Sequence, residues 1–140
     1  MSTWIMPANA NYFNHEKAFT DNGFIDWKQT RNYSVNDIIL IYSTRPESRI
    51  KYITKVIRTN LSSSEIINQD QYWKKDIVSE SKRNRYCRLK LIQKINDEKL
   101  SYLELKKHGM HYVPQSPGRV SEPLLAFIYS EVEIKDQEIN

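Results

Sequence analysis

The stretch Ile38-Ile39-Leu40-Ile41-Tyr42 is an uninterrupted apolar run, rich in β-branched side chains, that follows the turn signal Asn36-Asp37. Such a run is typical of a central strand with both faces buried, because neither face then needs polar side chains. The turn residues Arg45-Pro46-Glu47-Ser48 come next and lead into a second strand, predicted over residues 49–58. The two strands predict a sheet at the centre of the domain.

Residues 85–95 form the clearest strand outside this centre, because apolar and polar side chains alternate along them. A period of two places successive side chains on opposite faces of a sheet. One face is expected to carry Cys87, Leu89, Leu91 and Ile95, and the other Tyr86, Arg88, Lys90 and Lys94. A short strand over residues 3–6 is expected to stop at Pro7, which has no N–H to donate to a ladder.

Three short helices are predicted from their end signals. Asn14 can cap a helix over residues 15–22, and Gly23 stands where a left-handed residue is wanted. Ser101 and Glu104 form a capping box for a helix that ends at Gly109, and residues 122–130 are expected to form the last helix. Strands interspersed with short helices predict an α+β domain with a barrel-like sheet rather than a doubly wound sheet.

The 140 residues fit a single domain, which we place at residues 1–130, followed by an acidic tail or linker at residues 131–140. With 39% hydrophobic residues, the chain can build a core. Its single cysteine, Cys87, suits a reducing compartment. We find no signal-peptide pattern and no apolar run near the ~18 residues of a membrane span, so we expect a cytoplasmic protein without a membrane partner.

Positive charge is concentrated between Lys74 and Lys94, where eight lysines and arginines face only Asp76 and Glu80. A basic stretch with interleaved aromatic residues favours nucleic acid as the partner, although a charged outer sheet face is a common alternative. The residues expected to bind phosphates are Lys82, Arg83, Arg85, Arg88 and Lys90, together with Arg119 from the loop at 114–123. The stretch itself does not distinguish DNA from RNA.

Three segments resemble the EVE domain of the PUA-like superfamily, whose relatives include the YTH domains. The first runs from Trp4-Ile5-Met6-Pro7-Ala8-Asn9 through His15-Glu16-Lys17-Ala18-Phe19 to Gly23-Phe24-Ile25-Asp26-Trp27. The second runs from Val35 to Ser43 and on through Ile50 to Val56. The third joins residues 105–109 to Pro114-Gln115-Ser116-Pro117-Gly118-Arg119-Val120. Together the segments extend over nearly the whole chain.

This resemblance implies a curled sheet with helices around it and a pocket for one modified or flipped-out base. Similar domains stand at the front of modification-dependent restriction proteins and bind 5-methylcytosine-type or N6-methyladenine-type bases. By resemblance, Asn9 or Asn11 reads the base edge, Trp27 is the stacking wall, and Tyr42 and Ser43 line the floor. Trp73 or Tyr86 would supply a second aromatic wall. The implied partner is DNA rather than RNA, with a nuclease or AAA+ effector in the same or another chain.

Each of these residues also has a structural alternative. Trp27 could be an ordinary core residue, and Asn9 and Asn11 could simply form a turn. Gln115 and Ser116 lie on a loop held by two prolines, where they could touch the base or belong to a plain surface loop. A reader that flips a base pays a few kcal/mol, whereas stacking on an aromatic side chain returns ~1–3 kcal/mol per base.

Catalysis is not indicated by the sequence. Three histidines and one cysteine fit no usual zinc spacing, and there is neither a glycine-rich phosphate loop nor a convincing nucleophilic triad. We therefore expect a binding module with no metal and no cofactor. Two alternatives remain open: a general RNA-binding PUA-like module without preference for a modified base, and a small metal-dependent nuclease.

Overall fold

The structure, a computed structural model, describes residues 1–74 and 84–133. The six residues of the central strand are all buried, as its apolar run requires. The strands are β1 (Thr3–Ala8), β2 (Phe24–Lys28), β3 (Ile38–Ser43), β4 (Arg49–Leu61), β5 (Tyr86–Lys94) and β6 (Gly118–Arg119). The α-helices are α1 (His15–Asn22), α2 (Tyr102–Lys107) and α3 (Glu122–Glu131), with a single 3₁₀ turn at Asp70–Tyr72.

The six strands form one mixed sheet in the order β2-β5-β4-β3-β1-β6. β1 and β3 are parallel, and every other neighbouring pair is antiparallel. The predicted single-domain α+β class is confirmed. Within the described part of the chain, β2 and β6 end the sheet without pairing with each other, so the barrel-like curling is not shown.

The sheet separates two hydrophobic clusters. The first, on the side of α1, includes Trp4, Phe13, Phe19 and Ile41. The second, on the side of α2 and α3, includes Ile5, Leu40, Tyr42, Leu105 and Ile128. Neighbouring residues of β1 and β3 alternate between the clusters, which is why β3 is apolar at every position except its last. Val132, two residues beyond the predicted domain boundary, still packs in the second cluster.

The helix ends follow their predicted signals. Asn14 accepts a hydrogen bond from the Lys17 backbone N–H at 3.1 Å, and Gly23 ends α1 in the left-handed conformation with φ 77°. Ser101 caps α2 by accepting from the Glu104 backbone N–H. None of the helices formed by the described residues has the length and apolar character that a membrane span requires.

β1 does not stop at Pro7 but continues to Ala8. Its other neighbour, β6, pairs only with Trp4 and Ile5, so β1 is an edge strand where Pro7 lies opposite Tyr42 of β3. A proline is tolerated at such an edge because no ladder donor is required on the open side.

The alternation predicted for β5 is wrong at its C-terminal end. Leu91 pairs with Thr54 and Gln93 pairs with Ile53, so the register shifts and Ile92 is the extra residue of a bulge. A bulge reverses the faces of the residues that follow it. Cys87, Leu89 and Leu91 accordingly pack in the first cluster, whereas Ile95 packs in the second, and Lys94 forms an ion pair with Glu16 of α1.

Arg88 is a structural residue rather than a free phosphate ligand. It faces Asp26 across the β2–β5 pair, and its guanidinium donates to both carboxylate oxygens at 2.8 and 3.0 Å. The Asp26 side chain has no exposed surface, and the Arg88 guanidinium also lies over the Phe24 ring, 4.5 Å from its centroid. Because its charge is matched by a buried carboxylate, the expectation that Arg88 binds phosphate is corrected.

Replacing Arg88 with methionine should therefore cost stability. The substitution leaves the Asp26 carboxylate buried without its cation, a change that typically costs ~3–5 kcal/mol. Arg58→Met is the matched control, because it breaks a solvent-exposed pair with Glu65, and exposed pairs contribute little to stability. Urea unfolding at neutral pH measures both. Equal stability of the two variants would contradict the structural role of Arg88.

Candidate functional site

Parallel pairing of β1 and β3 brings their carboxyl ends to one place. Ala8 lies opposite Ser43, and Thr44 donates to the Ala8 carbonyl through both its backbone N–H at 2.9 Å and its hydroxyl at 3.2 Å. The loops that follow the two strands therefore begin side by side. In open sheets such a point is a usual position for a ligand crevice.

The loop after β1 is fixed by hydrogen bonds within it. The Asn9 side chain accepts from the Asn11 backbone N–H at 2.8 Å, and the Asn9 carbonyl accepts from the N–H groups of Tyr12 and Phe13. This turn directs Phe13 into the first cluster, where it pairs with Trp73 in an isolated bridge. The asparagines thus do form a turn.

A cavity of about 160 Å³ lies where this loop, α1 and the β3–β4 connection meet. Aromatic and charged groups both face it. Its lining residues are Ala10, Phe13, Asn14, His15, Glu16, Ser43, Glu47, Lys51, Tyr52 and Lys74. Of the pocket residues expected from the sequence, Ser43 lies here.

His15 is the most distinctive group of this cavity. The side chain is 4% exposed, and its Nε2 has no hydrogen-bond partner within the described structure. Burial lowers the pKa of His15 to about 4, and a hydrogen bond with the Phe13 backbone opposes the shift only in part. The imidazole is therefore neutral at physiological pH, and its Nε2 is a buried nitrogen without a hydrogen-bond partner among the described residues.

The polar wall of the cavity is organised by Glu47. Its carboxylate accepts from the Ser43 hydroxyl at 3.1 Å and pairs with Lys51 at 2.5 Å. Burial opposes ionisation of Glu47, but Lys51 and Ser43 outweigh it and hold the pKa below its usual range. On the other side, the Tyr52 hydroxyl donates to Glu16 at 3.3 Å. The cavity thus combines aromatic surface with fixed hydrogen-bonding groups.

Trp27 lies behind this cavity and is not one of its lining residues. The half-buried indole contacts the rings of Phe13 and His15 edge-on or tilted, each at 5.0 Å between centroids. It also stacks on Trp73, with centroids 5.6 Å apart and planes 17° from parallel. Trp73, and not the buried Tyr86, is therefore the second aromatic beside Trp27. Phe13, His15 and Tyr52 are the rings that face the cavity itself.

An open groove of about 430 Å³ lies on the other side of the loop after β1. The sequence predicted that Asn9 and Gln115 belong to the base-binding pocket. Both line this groove, which lies beside the cavity, and neither lines the cavity itself. The full lining is Pro7, Ala8, Asn9, Tyr12, Thr44, Pro114 and Gln115. Ser116 follows Gln115 at the edge of the groove, where its hydroxyl accepts from Arg31 at 3.4 Å.

Two predicted pocket residues lie elsewhere. Tyr42 is fully buried in the second cluster, on the opposite face of the sheet from Ser43, because adjacent residues of a strand point to opposite faces. Its placement on the pocket floor is therefore corrected. Asn11 is exposed at the tip of its turn and lines neither the cavity nor the groove.

The predicted basic stretch between Lys74 and Lys94 is only partly a surface open to a ligand. Lys82 and Arg83 lie outside the described residues. Lys90 is half-buried on β5 opposite Lys55, whereas Arg85 donates to the side-chain oxygens of Asn60 and Asn32 at 2.8 and 3.0 Å. Arg119 is exposed on β6 and lies 4.9 Å from the Trp4 ring centroid.

The cysteine is not positioned for chemistry. Burial raises the pKa of Cys87 to about 12, so it remains a thiol, and its sulfur lies 3.6 Å from the Trp27 carbonyl. Residues 1–74 and 84–133 bring together no group of three or more His, Cys, Asp or Glu side chains suited to a metal ion.

Apart from Ser43, sequence reasoning did not assign the residues that line the cavity to the pocket. His15 directly follows the helix cap, where a solvated histidine is as common as a buried one, and Glu47 and Lys51 read as turn and strand surface. The one sequence signal for these residues is their position along the chain. Ser43, Glu47 and Lys51 lie in or next to the turn that follows the central strand. Lys74 is brought to the cavity by the isolated bridge between Phe13 and Trp73, which no local sequence pattern predicts.

Comparison with known proteins gives a family and a fold. A family profile described as EVE domain matches residues 2–124. No curated protein matches the sequence significantly.

Solved structures from several organisms share this fold. Rpa0253 from Rhodopseudomonas palustris is 12% identical, with TM-score 0.64, and the match covers 93% of this chain and 92% of that one. ASCH from Zymomonas mobilis is 13% identical, with TM-score 0.58 and coverage of 92% and 94%. A hypothetical protein from Leishmania major is 16% identical, with TM-score 0.59 and coverage of 94% of each chain. At these identities the similarity establishes the fold alone.

His15 should make the protein less stable in mild acid. The unfolded histidine takes up a proton near its ordinary pKa of 6.5, whereas the folded one does so only near 4, so stability is lost as pH falls between these values. At ~1.4 kcal/mol per pH unit, the free energy of unfolding should fall by about 3 kcal/mol over this range. Urea unfolding from pH 7 to 4 measures it.

In His15→Phe this part of the pH dependence should disappear, because no proton is taken up at that position. His111→Phe, which alters an exposed histidine, is the control and should keep the wild-type profile. Parallel profiles for the wild type and His15→Phe would contradict the buried neutral imidazole.

Proposed function

Because the chain belongs to the EVE domain family, we propose that it is a nucleic-acid-binding module that takes one unstacked base into the cavity beside His15. Membership of the EVE domain family supports nucleic-acid binding at this coarse level. The assignment of the base to this cavity comes from its geometry.

The observation that carries the proposal is the unpartnered Nε2 of His15 in a cavity with aromatic walls. A buried polar atom without a partner costs free energy, so it is expected to be satisfied when a ligand binds. A nucleobase fits such a site because it offers flat apolar faces and an edge of hydrogen-bond donors. Stacking of ~1–3 kcal/mol per base can then offset the few kcal/mol needed to unstack it.

Each group has a distinct role in this arrangement. His15 Nε2 accepts a hydrogen bond from an amino or ring N–H group of the base, and the base packs against the edges of Phe13 and Tyr52, which themselves contact the His15 ring. Ser43 and Glu47 offer a hydroxyl and carboxylate at the opposite edge. Trp27 holds His15 and Phe13 in place from behind rather than stacking on the base.

We propose that the groove holds the nucleotide adjacent to that base. Asn9 and Gln115 present amide groups there, and Tyr12 is 45% exposed, so a neighbouring nucleotide can be contacted by both polar and aromatic groups. Ser116, which follows Gln115, and Asn11, which is exposed on the turn before Tyr12, are proposed to contact only the sugar–phosphate backbone.

The finer parts of the proposal rest on the family resemblance. These are a preference for a modified base, a preference for DNA over RNA, and service as the recognition module of a modification-dependent restriction system with a nuclease or AAA+ partner. A methylated base suits the site physically, because its methyl group adds apolar area that the aromatic walls of the cavity can cover.

Single-stranded oligonucleotides that differ at one central position test the proposal. The position carries cytosine, 5-methylcytosine, adenine, N6-methyladenine or no base, and binding is followed by fluorescence anisotropy. The oligomer with the preferred base should bind about tenfold or more tightly than the abasic one, as expected when one base is stacked. His15→Phe, which keeps an aromatic ring but removes the nitrogen, should reduce this difference severalfold, because the hydrogen bond to the base edge is lost.

Tyr112→Ala is the control variant, because Tyr112 is 78% exposed and lines neither the cavity nor the groove. It should bind like the wild type. Equal affinity for all five oligomers, unchanged in His15→Phe, would refute base recognition in this cavity. A base effect without any preference between modified and plain bases would instead favour the general RNA-binding module.

A further inference from the structure

We propose that Arg31, Arg85 and Arg119 form a phosphodiester-binding surface beside β1, continuous with the groove. The inference rests on the proposed function, since it gives the path of the strand whose base enters the cavity. Arg85 and Arg119 were expected to bind phosphate from the sequence, whereas Arg31 was not. The structure brings the three together from separate parts of the chain.

Arg31 and Arg85 are neighbours. The Arg85 guanidinium donates to the Arg31 carbonyl at 3.4 Å, and to Asn32 at 3.0 Å. The exposed Arg31 side chain reaches the other way, where its Nε donates to the Pro117 carbonyl at 3.1 Å and its Nη2 to the Ser116 hydroxyl. Arg31 thereby ties this pair to the loop that borders the groove.

Arg119 lies two residues beyond Pro117, at the end of the same loop. It pairs with Trp4 across β6 and β1, and its guanidinium is placed over the Trp4 ring, 4.9 Å from the centroid. A cation over an aromatic face keeps its full charge and its outward N–H groups. Its geometry is fixed while its charge stays available to a ligand.

What distinguishes these three arginines is that the protein gives them neutral partners. Within residues 1–74 and 84–133, no carboxylate lies within ion-pair distance of any of them, and their partners are carbonyl, amide and hydroxyl oxygens and an indole face. Arg49, Arg58 and Arg88, by contrast, each face a carboxylate. Clustered guanidinium groups without counter-charge attract an anion, and phosphate is the anion their N–H geometry fits best.

The surface continues into the groove along β1. Gly118 pairs with Ile5 and Arg119 with Trp4 in antiparallel register, so the preceding residues run towards the carboxyl end of β1, where Pro114 and Gln115 line the groove. The four residue-to-residue steps from Trp4 to Ala8 span ~13 Å, at ~3.3 Å each. A path of that length is long enough for more than one phosphate of the same strand, since the axial rise in a duplex is only ~3.4 Å per charge of one strand.

Two probes separate this surface from the cavity: an oligodeoxythymidylate and an abasic deoxyribose-phosphate oligomer of equal length. The abasic oligomer has no base to place in the cavity but retains every phosphate. For the full chain with either probe, Arg31→Gln and Arg119→Gln should each weaken binding about tenfold at ~50 mM salt. Each should also reduce the slope of log affinity against log salt by ~0.7, the value for one phosphate on a single strand.

Lys106→Gln is the charge-matched control, because Lys106 is exposed on α2, on the opposite side of the sheet. Arg31→Lys keeps the charge and should keep the salt slope. If Arg31→Gln and Arg119→Gln bind both probes no more weakly than Lys106→Gln, the phosphate surface is refuted. If they weaken both probes while base identity has no effect, the surface stands and base recognition in the cavity fails.

Discussion

The site depends on the parallel pairing of β1 with β3, and that pairing is anchored by Asp37. The buried carboxylate accepts from the Ser2 backbone N–H at 2.9 Å, the Trp4 indole at 3.0 Å and the Ser34 backbone N–H at 2.9 Å. Burial disfavours the charge, but these donors outweigh it and hold the pKa of Asp37 below its usual range. The start of β1 is thereby fixed beside the turn that begins β3.

From this pairing follows the position of everything proposed to touch nucleic acid. Ala8 and Ser43 end side by side, so the loop after β1 and the turn after β3 enclose the cavity between them and α1. The free edge of β1 receives β6, and the loop before β6 brings Gln115 to the groove and Arg119 to Trp4. The cavity and the groove thus lie at the carboxyl ends of β1 and β3, and Arg119 lies on the edge strand that pairs with β1.

The sequence predicted what is set by local chemistry and missed what is set by pairing. The apolar run of β3, the Asn14 cap and the left-handed Gly23 each follow from a few neighbouring residues, and the structure confirms them. The bulge at Ile92 could not be predicted, since it depends on the register with β4. For the same reason a basic residue such as Arg88 reads as a phosphate ligand until its partner Asp26, 62 residues away, is known.

Nitrogen NMR of the His15 imidazole tests the central claim most directly, because it observes the atom that the base is proposed to contact. On addition of an oligonucleotide, the Nε2 resonance of His15 should move as expected for a nitrogen that begins to accept a hydrogen bond. The abasic oligomer should bind without moving it. If oligonucleotide binding shifts backbone resonances elsewhere but leaves His15 Nε2 unchanged, the base does not enter this cavity and the account is wrong.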